Sequence, residues 1–326
     1  MFKKLAFIAA ILTLCVVVLG AYVRLSDAGL GCPDWPGCYD TLTVPQSNEA
    51  LEHAHATYPE SPVEHAKAWK EMVHRYVAGI LGILVFALFI QAWRERKNIK
   101  VSPWLPTALV GIVGVQAMLG MWTVTMLLKP AIVTMHLMGG MTTLAILTWI
   151  AHRHWGVLAS NAIKNSGAKL FVRFAMVILF VQIFLGGWTS TNYAALACTD
   201  FPTCHGAWIP EMDFANAFHW FRELGENKEG NPLGLPAYVA IQWIHRIGAL
   251  ITFLYLGSLG IYLMKRPQLS KLASIMLILL LVQIGLGIAN LVLYLPTVLA
   301  VAHNMGAALL LMTVVMLNSK ITALRK

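Results

Sequence analysis

The stretch 131–151, AIVTMHLMGGMTTLAILTWIA, carries no Asp, Glu, Lys or Arg over its 21 positions. About 20 mostly apolar residues are enough for a helix to cross the hydrocarbon core of a bilayer. The one ionisable side chain here is His136, and an ionisable group at that depth is costly unless it has a function. The stretch therefore predicts a membrane-spanning helix with a functional histidine near its beginning.

Seven more runs of this kind occur in the 326-residue chain. The eight predicted spans are 5–25, 72–93, 104–127, 131–151, 170–190, 237–263, 272–294 and 298–318. Charged residues make up 12% of the sequence and hydrophobic residues 58%, whereas soluble domains carry roughly 25% charged residues. The first span follows Lys3 and Lys4, but no cleavage site of small residues follows it, so we expect a retained helix and not a signal peptide. The sequence predicts an all-α integral membrane protein in a lipid bilayer.

Basic residues concentrate on one side of this predicted membrane. With the N-terminus inside, the inner basic residues are Lys3, Lys4, Arg94, Arg96, Lys97, Lys100, Arg153, Lys164, Lys169, Lys265, Arg266, Lys271, Lys320, Arg325 and Lys326. Of the 15 acidic residues only Glu95 falls inside. The positive-inside rule therefore places both termini in the cytoplasm. Most of the net charge of +9 comes from these basic residues on the cytoplasmic side, so it does not indicate a nucleic-acid partner.

The sequence contains an internal repeat. The matching pairs are CPDWPGC at 32–38 with CTDFPTC at 198–204, EMVHR at 71–75 with QWIHR at 242–246, QAMLG at 116–120 with QIGLG at 283–287, and MHLMG at 135–139 with AHNMG at 302–306. Four matches in the same order predict an internal duplication, with halves 1–155 and 165–326. Each half has an even number of spans, so both enter the membrane in the same sense, as two pseudo-symmetric four-helix bundles in a parallel repeat. The long outer segments 26–70 and 191–235 occupy matching places.

Four histidines stand at the repeated positions, at a similar depth below the outer face: His74, His136, His245 and His303. Two imidazoles on neighbouring helices can bind the two faces of a haem iron. A catalytic zinc would need a third protein ligand, which neither half repeats. The glycines after the later histidines, Gly139, Gly140 and Gly306, together with Ala307, are expected to leave room for a porphyrin face. Other histidines receive no role: His53, His55, His65, His205 and His219.

An arginine follows one histidine in each half. Arg75 and Arg246 can pair with haem propionates at the outer rim, because guanidinium groups bind carboxylates in two-pronged fashion. Alternatively, both arginines only extend towards the membrane surface.

Four of the five cysteines lie in two pairs on the outer side, Cys32 with Cys38 and Cys198 with Cys204. That compartment is oxidising in bacteria, which favours disulfides. A metal site is the alternative, although structural zinc sites usually show a shorter C-x2-C spacing. Cys15 is expected to be a small apolar core residue, packed in the interior along the first helix.

The outer C-x-D-W-P-x-C motif, Glu71-x-x-His74-Arg75 and the paired histidine spans resemble the haem A synthase family over essentially the whole chain. The resemblance implies haem O as substrate on His74 and His136 and a haem b cofactor on His245 and His303. It further implies oxidation of the C8 methyl of haem O to a formyl group, giving haem A for terminal oxidases. Disulfides Cys32–Cys38 and Cys198–Cys204, a haem O synthase partner and a bacterial inner-membrane location are also implied.

The two copies of the repeat differ at one position whose side chain is expected to matter for catalysis. The second half has Gln242 where the first has Glu71, while His74 and His245 are both retained. Residues three apart on a helix are neighbours, so Glu71 is expected near a haem edge as a base or charge stabiliser. The plainer interpretation is a glutamate that stabilises the start of its helix.

Two axial histidines would leave no position for O2, so water is the expected oxygen source and the second haem an electron conduit to an acceptor such as a quinone. Transient loss of one histidine would restore oxygen chemistry. Two other functions are weighed: a di-haem cytochrome b that relays electrons, which leaves the Glu71/Gln242 difference unexplained, and a transporter, which favours polar or broken helices at mid-membrane. The sequence does not fix the oligomeric state, and a homo-oligomer is compatible with it.

Overall fold

The computed structural model describes residues 1–155 and 166–322. The described part of the chain is helical and contains no β-strand. The α-helices are α1 Phe2–Leu25, α2 Asn48–Thr57, α3 His65–Arg94, α4 Trp104–Thr125, α5 Pro130–Trp155, α6 Ser166–Thr191, α7 Phe214–Ala217, α8 Leu235–Met264, α9 Pro267–Val292 and α10 Thr297–Ile321. All except α2 and α7 are long and apolar enough to cross a membrane, which confirms the eight predicted spans.

The observed start of one helix differs from the start predicted from the sequence. Helix α3 begins at His65, where the sequence predicted a start at 72, whereas α8 begins at Leu235, close to the predicted 237. The added residues of α3 include Lys67, Lys70 and Glu71, so a hydrophobicity pattern assigns them to the loop. Helix α3 therefore extends into the outer segment 26–70. The predicted boundary at 156–165, the last residues 323–326, and with them Lys164, Arg325 and Lys326, lie outside the described residues.

Small residues let α1 lie close to its neighbours. Its buried positions include Ala6, Ala9, Ala10 and Thr13, spaced three and four apart on one face. In a bilayer such a face permits close approach of backbones, which is where helices gain packing energy. Helix α1 packs against α3, α5 and α10. Thr13 donates its hydroxyl proton to the Ala9 carbonyl at 2.6 Å, so its polar atom is satisfied within the helix.

Contacts within each half have the same order. Helix α3 packs on α1 and α4, and α4 also packs on α5. In the second half, α8 packs on α6 and α9, and α9 also packs on α10. Between the halves, α10 contacts α1 and α5, and α5 contacts α6. One buried cluster lies among α5, α6, α8, α9 and α10, and another among α1, α3, α4 and α5.

Polar contacts join the halves near their outer ends. Arg24 donates to the Ser190 carbonyl at 3.0 Å and lies over the Tyr193 ring. The hydroxyls of Thr134 and Thr191 are 3.0 Å apart and buried. These contacts cross the interface where the site described next is located.

Candidate functional site

A cavity of about 1310 Å³ lies among the helices of the second half. His245 of α8 and His303 of α10 both line it, and its walls are mostly apolar. Pockets for small molecules usually measure about 300–1,000 Å³, so this cavity has room for a large planar cofactor. Arg24 and Leu137 of the first half also reach its wall, so the cavity extends to the interface between the halves.

The four histidine rings differ in the surroundings of their Nδ1 atoms. The Nδ1 atoms of His74, His136 and His303 are buried without a hydrogen-bond partner in the described chain, and Nδ1 of His245 lies 3.1 Å from Nε2 of Gln182. His245 and His303 line the same cavity, and His74 and His136 stand at the matching positions of the first half. An imidazole that binds iron through Nε2 carries its proton on Nδ1. Two such rings in each half fit an axial pair on a haem.

Each ring packs edge-on against a glycine of the adjacent helix. A Cβ at these glycines would lie 2.9–3.4 Å from Cε1 of the ring, and the pairs are Gly20 with His74, Gly120 with His136, Gly186 with His245 and Gly287 with His303. A larger residue would displace the ring.

The glycines that follow the histidines have a different role from the one the sequence predicted. A Cβ at Gly139 or Gly306 would overlap the amide of Gln116 or Gln283, and one at Gly140 would touch Val17. The expectation that Gly139 and Gly306 leave room for a porphyrin face was therefore wrong, because glutamine side chains fill that space. Ala307 does line the cavity.

Glu71 is buried and holds the first outer loop to α3. Its Oε2 accepts a hydrogen bond from the Cys32 N–H at 3.0 Å, and its Oε1 accepts one from Arg75 at 2.5 Å. Only 4% of Glu71 is exposed, so its charge is compensated by one arginine and little water. The contact to the loop is a structural role that the sequence did not predict.

Gln242 performs the same structural role without the charge. Its Oε1 accepts a hydrogen bond from the Cys198 N–H, and its Nε2 donates to the Ala195 carbonyl at 2.6 Å. An amide and a carboxylate thus occupy matching positions, each bound to the first cysteine of its loop. The two halves differ here in charge and not in anchoring.

The guanidinium groups of Arg75 and Arg246 bind loop carbonyls. Arg75 donates to the carbonyls of Asp34, at 3.0 Å, and Gly37. Arg246 donates to the backbone carbonyl of Asp200 at 3.0 Å, and also to the carbonyls of Thr203 and Cys198. Both arginines therefore clamp the cysteine loops, and Arg246 also lines the cavity. Propionate binding by either remains a prediction.

Both cysteine pairs lie at disulfide distance, with S–S separations of 2.02 Å for Cys32 and Cys38 and 2.01 Å for Cys198 and Cys204. No group of three or more His, Cys, Asp or Glu side chains that could hold a metal occurs in the described chain. The structure thus favours disulfides over a metal site. Cys15 is a free cysteine, but it is exposed on α1, so the expectation of a packed interior position was wrong.

An aspartate stabilises each cysteine loop from within. Asp200 accepts hydrogen bonds from the Thr203 hydroxyl and from the N–H groups of Gly206 and His205. These bonds, that from Thr203 foremost, hold the pKa of Asp200 well below its ordinary value. Asp34 accepts matching bonds from the N–H groups of Tyr39 and Asp40 in the first loop.

The remaining outer histidines are not gathered at this site. His53 lies 3.6 Å from the Asp40 carboxylate on the exposed surface, and Nδ1 of His219 is buried without a partner in the described chain. His205 contributes its backbone N–H to Asp200. We assign no chemical role to these side chains, nor to His55 and His65.

Comparison with known proteins decides the family. Residues 3–315 match the COX15-CtaA family of cytochrome oxidase assembly proteins. The chain belongs to this family. It is 44% identical over 316 residues to the haem A synthase of Shewanella oneidensis, covering 95% of this chain and 94% of that protein. It is 27% identical over 320 residues to the haem A synthase of Shouchella clausii, covering 94% and 93%.

Two residues of the site were not predicted from the sequence. Gln182 and Gln283 line the cavity beside His245 and His303, and neither was predicted as a site residue. The repeat carried a signal for them: the offset of 166 that relates the cysteine loops also aligns Gly20 with Gly186 and Val16 with Gln182. Following that offset into the first helix of each half would have drawn attention to Gln182.

Proposed function

We propose that this chain is a haem O-oxidising enzyme that converts the C8 methyl of haem O to a formyl group, giving haem A for terminal oxidases. The observation that carries this proposal is the charge difference between Glu71 and Gln242 in otherwise matched surroundings. An electron relay would need two haem sites but no such difference. The relatives, which are haem A synthases, support the same activity.

The halves take different roles in this proposal, as two pseudo-symmetric four-helix bundles. His74 and His136 hold haem O in the first half, while His245 and His303 hold a haem b in the second. Support for the duplication comes from the matched contacts of Glu71 and Gln242 with their loops. The bound haems supply the iron-centred redox chemistry, and the protein supplies position and charge.

Glu71 is the proposed catalytic group. Its carboxylate is buried and paired with Arg75, and it lies three residues from His74 on the same helix. A carboxylate so placed can accept a proton from the reacting methyl group or stabilise positive charge that develops there. Arg75 and the Cys32 N–H fix both carboxylate oxygens, so Glu71 is positioned before substrate arrives.

Water is the proposed source of the formyl oxygen, because His74 and His136 would occupy both faces of the iron. The electrons then leave through the second half to an acceptor, for which a quinone is one candidate. The two cysteine loops and the four paired histidines lie towards the same end of the bundle, which agrees with an outer-side site and cytoplasmic termini in a bacterial inner membrane.

Reconstitution with haem O tests the proposal. Purified protein is incubated with haem O and an oxidant, and the pigment is extracted. A formyl-bearing haem supports the synthase, whereas unchanged haem O together with reversible haem oxidation and reduction identifies an electron relay.

A further inference from the structure

Three of the four histidines share one local pattern. A glutamine stands four residues before the glycine that packs on the ring, and a second glycine stands three residues after the histidine. The sets are Gln116, Gly120, His136 and Gly139; Gln182, Gly186, His245 and Gly248; and Gln283, Gly287, His303 and Gly306. The pattern occurs once in the first half and twice in the second.

The second glycine makes room for the glutamine. A Cβ at Gly139, Gly248 or Gly306 would overlap the glutamine side chain of its own set. Glutamine and glycine on adjacent helices are therefore complementary in volume. Neither can be exchanged for a branched residue without changing the other.

Two of the glutamines bind the histidine residues directly. Gln182 donates Nε2–H to the His245 carbonyl at 3.2 Å, and Gln283 donates to the His303 carbonyl at 2.9 Å. The same Nε2 atom of Gln182 lies 3.1 Å from Nδ1 of the His245 ring. Hydrogen bonds between helices fix their register in a bilayer, and partners behind a metal-binding imidazole fix its orientation.

His74 departs from the pattern at both complementary positions. Its ring still packs on Gly20 of α1, but Val16 stands where the other sets have glutamine, and Val77 stands where they have the second glycine. Valine has no amide to donate, and Val77 carries a side chain where the other three sets have a glycine. The ring itself does not distinguish His74, because the Nδ1 atoms of His136 and His303 also lack a hydrogen-bond partner in the described chain; the difference lies in the missing amide and the missing second glycine.

We propose that Gln116, Gln182 and Gln283 are positioning residues that hold three histidines in place for iron, and that His74 is the ligand that releases it. This inference rests on the proposed function, in which haem b stays in the second half while the first half takes up haem O and discharges its product at every turnover. The half with two glutamine sets is the one assigned to the resident haem. The half with one set can open on the His74 side while His136 keeps its position.

Two reciprocal double variants of the full-length protein test the inference. Val16→Gln with Val77→Gly builds the missing set around His74. Gln182→Val with Gly248→Val gives His245 the surroundings of His74. Each protein is loaded with iron protoporphyrin IX, and transfer of the haem to excess apomyoglobin is followed by absorbance. A His74→Ala variant identifies which kinetic phase belongs to the first half.

We expect the first double variant to slow release from the first half, and the second to speed release from the second half, each by about three- to tenfold, the range expected for one interhelical hydrogen bond. The high-spin ferric fraction of the affected haem should fall in the first variant and rise in the second, which a change in stability alone would not produce. Unchanged release rates and spin states in both variants would overturn the inference.

Gln182→Leu covers the case in which a double variant does not fold, because it removes the amide while keeping Gly248 and a similar volume. Faster release from the second half is the expected result, and release as slow as in the wild type would overturn the inference. Release is measured without turnover, so the proposed function is tested separately. If haem O is never converted but the rates shift as expected, only the proposed function fails.

Discussion

Glu71 accepts a hydrogen bond from the Cys32 N–H at 3.0 Å, which fastens the first cysteine loop to α3. In the second half Gln242 accepts the equivalent bond from the Cys198 N–H. A neutral amide is therefore sufficient for loop anchoring in this fold. The charge of Glu71 is the part of the arrangement that anchoring does not explain.

The second cysteine loop should depend on pH through Asp200. The pKa of Asp200 lies below its ordinary value of 3.8, because the folded loop donates hydrogen bonds to the carboxylate. Its contribution is therefore complete above about pH 4 and is lost as pH falls through the lower, folded pKa. Hydrogen exchange of the His205 and Gly206 amides should show protection that declines only in strong acid. Asp200→Asn should remove this dependence, and a variant that retains it would contradict the assignment.

The disulfides should be local. Peptide mapping under non-reducing conditions is expected to find Cys32 joined to Cys38, Cys198 joined to Cys204, and Cys15 free, as their positions indicate. Closing so short a loop contributes about 2–3 kcal/mol to the free energy of unfolding by chain-entropy estimates. Replacing one pair by serine should lower stability by that amount. A link between halves, such as Cys32 to Cys198, would contradict the local pairing.

The histidines should separate into two functional pairs. His245→Ala or His303→Ala should remove the b-type spectrum of protein purified without haem O, because each removes an axial ligand of the resident haem. His74→Ala or His136→Ala should keep most of that spectrum and abolish conversion of haem O. Loss of the resident haem in the first-half variants would mean that the roles of the halves are reversed.

Much of this fold could be predicted because the bilayer imposes it. Runs of about 20 apolar residues have few alternatives to a helix in lipid, where every backbone group needs an internal partner. The cysteine pairs and the four histidines were found because they recur at a nearly constant offset, which a single copy would not have revealed.

The rest depends on side-chain contacts between helices, which periodicity does not encode. The space beside Gly139, which was predicted to face a haem, is filled by the side chain of Gln116 from another helix. Arg75 and Arg246 turn to loop carbonyls because the cysteine loops fold back over their helices. The error over Gly139 came from assigning the space around a histidine to the cofactor before knowing which neighbours fill it, whereas propionate binding by the two arginines stays a prediction.

Product formation by Glu71→Gln tests the central claim, that the charge of Glu71 makes the first half catalytic. Gln242 shows that an amide can anchor the loop, so this variant should keep its fold and its bound haem. We predict that haem A formed per mole of bound haem falls by about two orders of magnitude or more, the range for loss of a general acid–base group. The matched control, Gln242→Glu, should keep most of its turnover. Near-wild-type product formation by Glu71→Gln would contradict the account and leave Glu71 as a loop anchor.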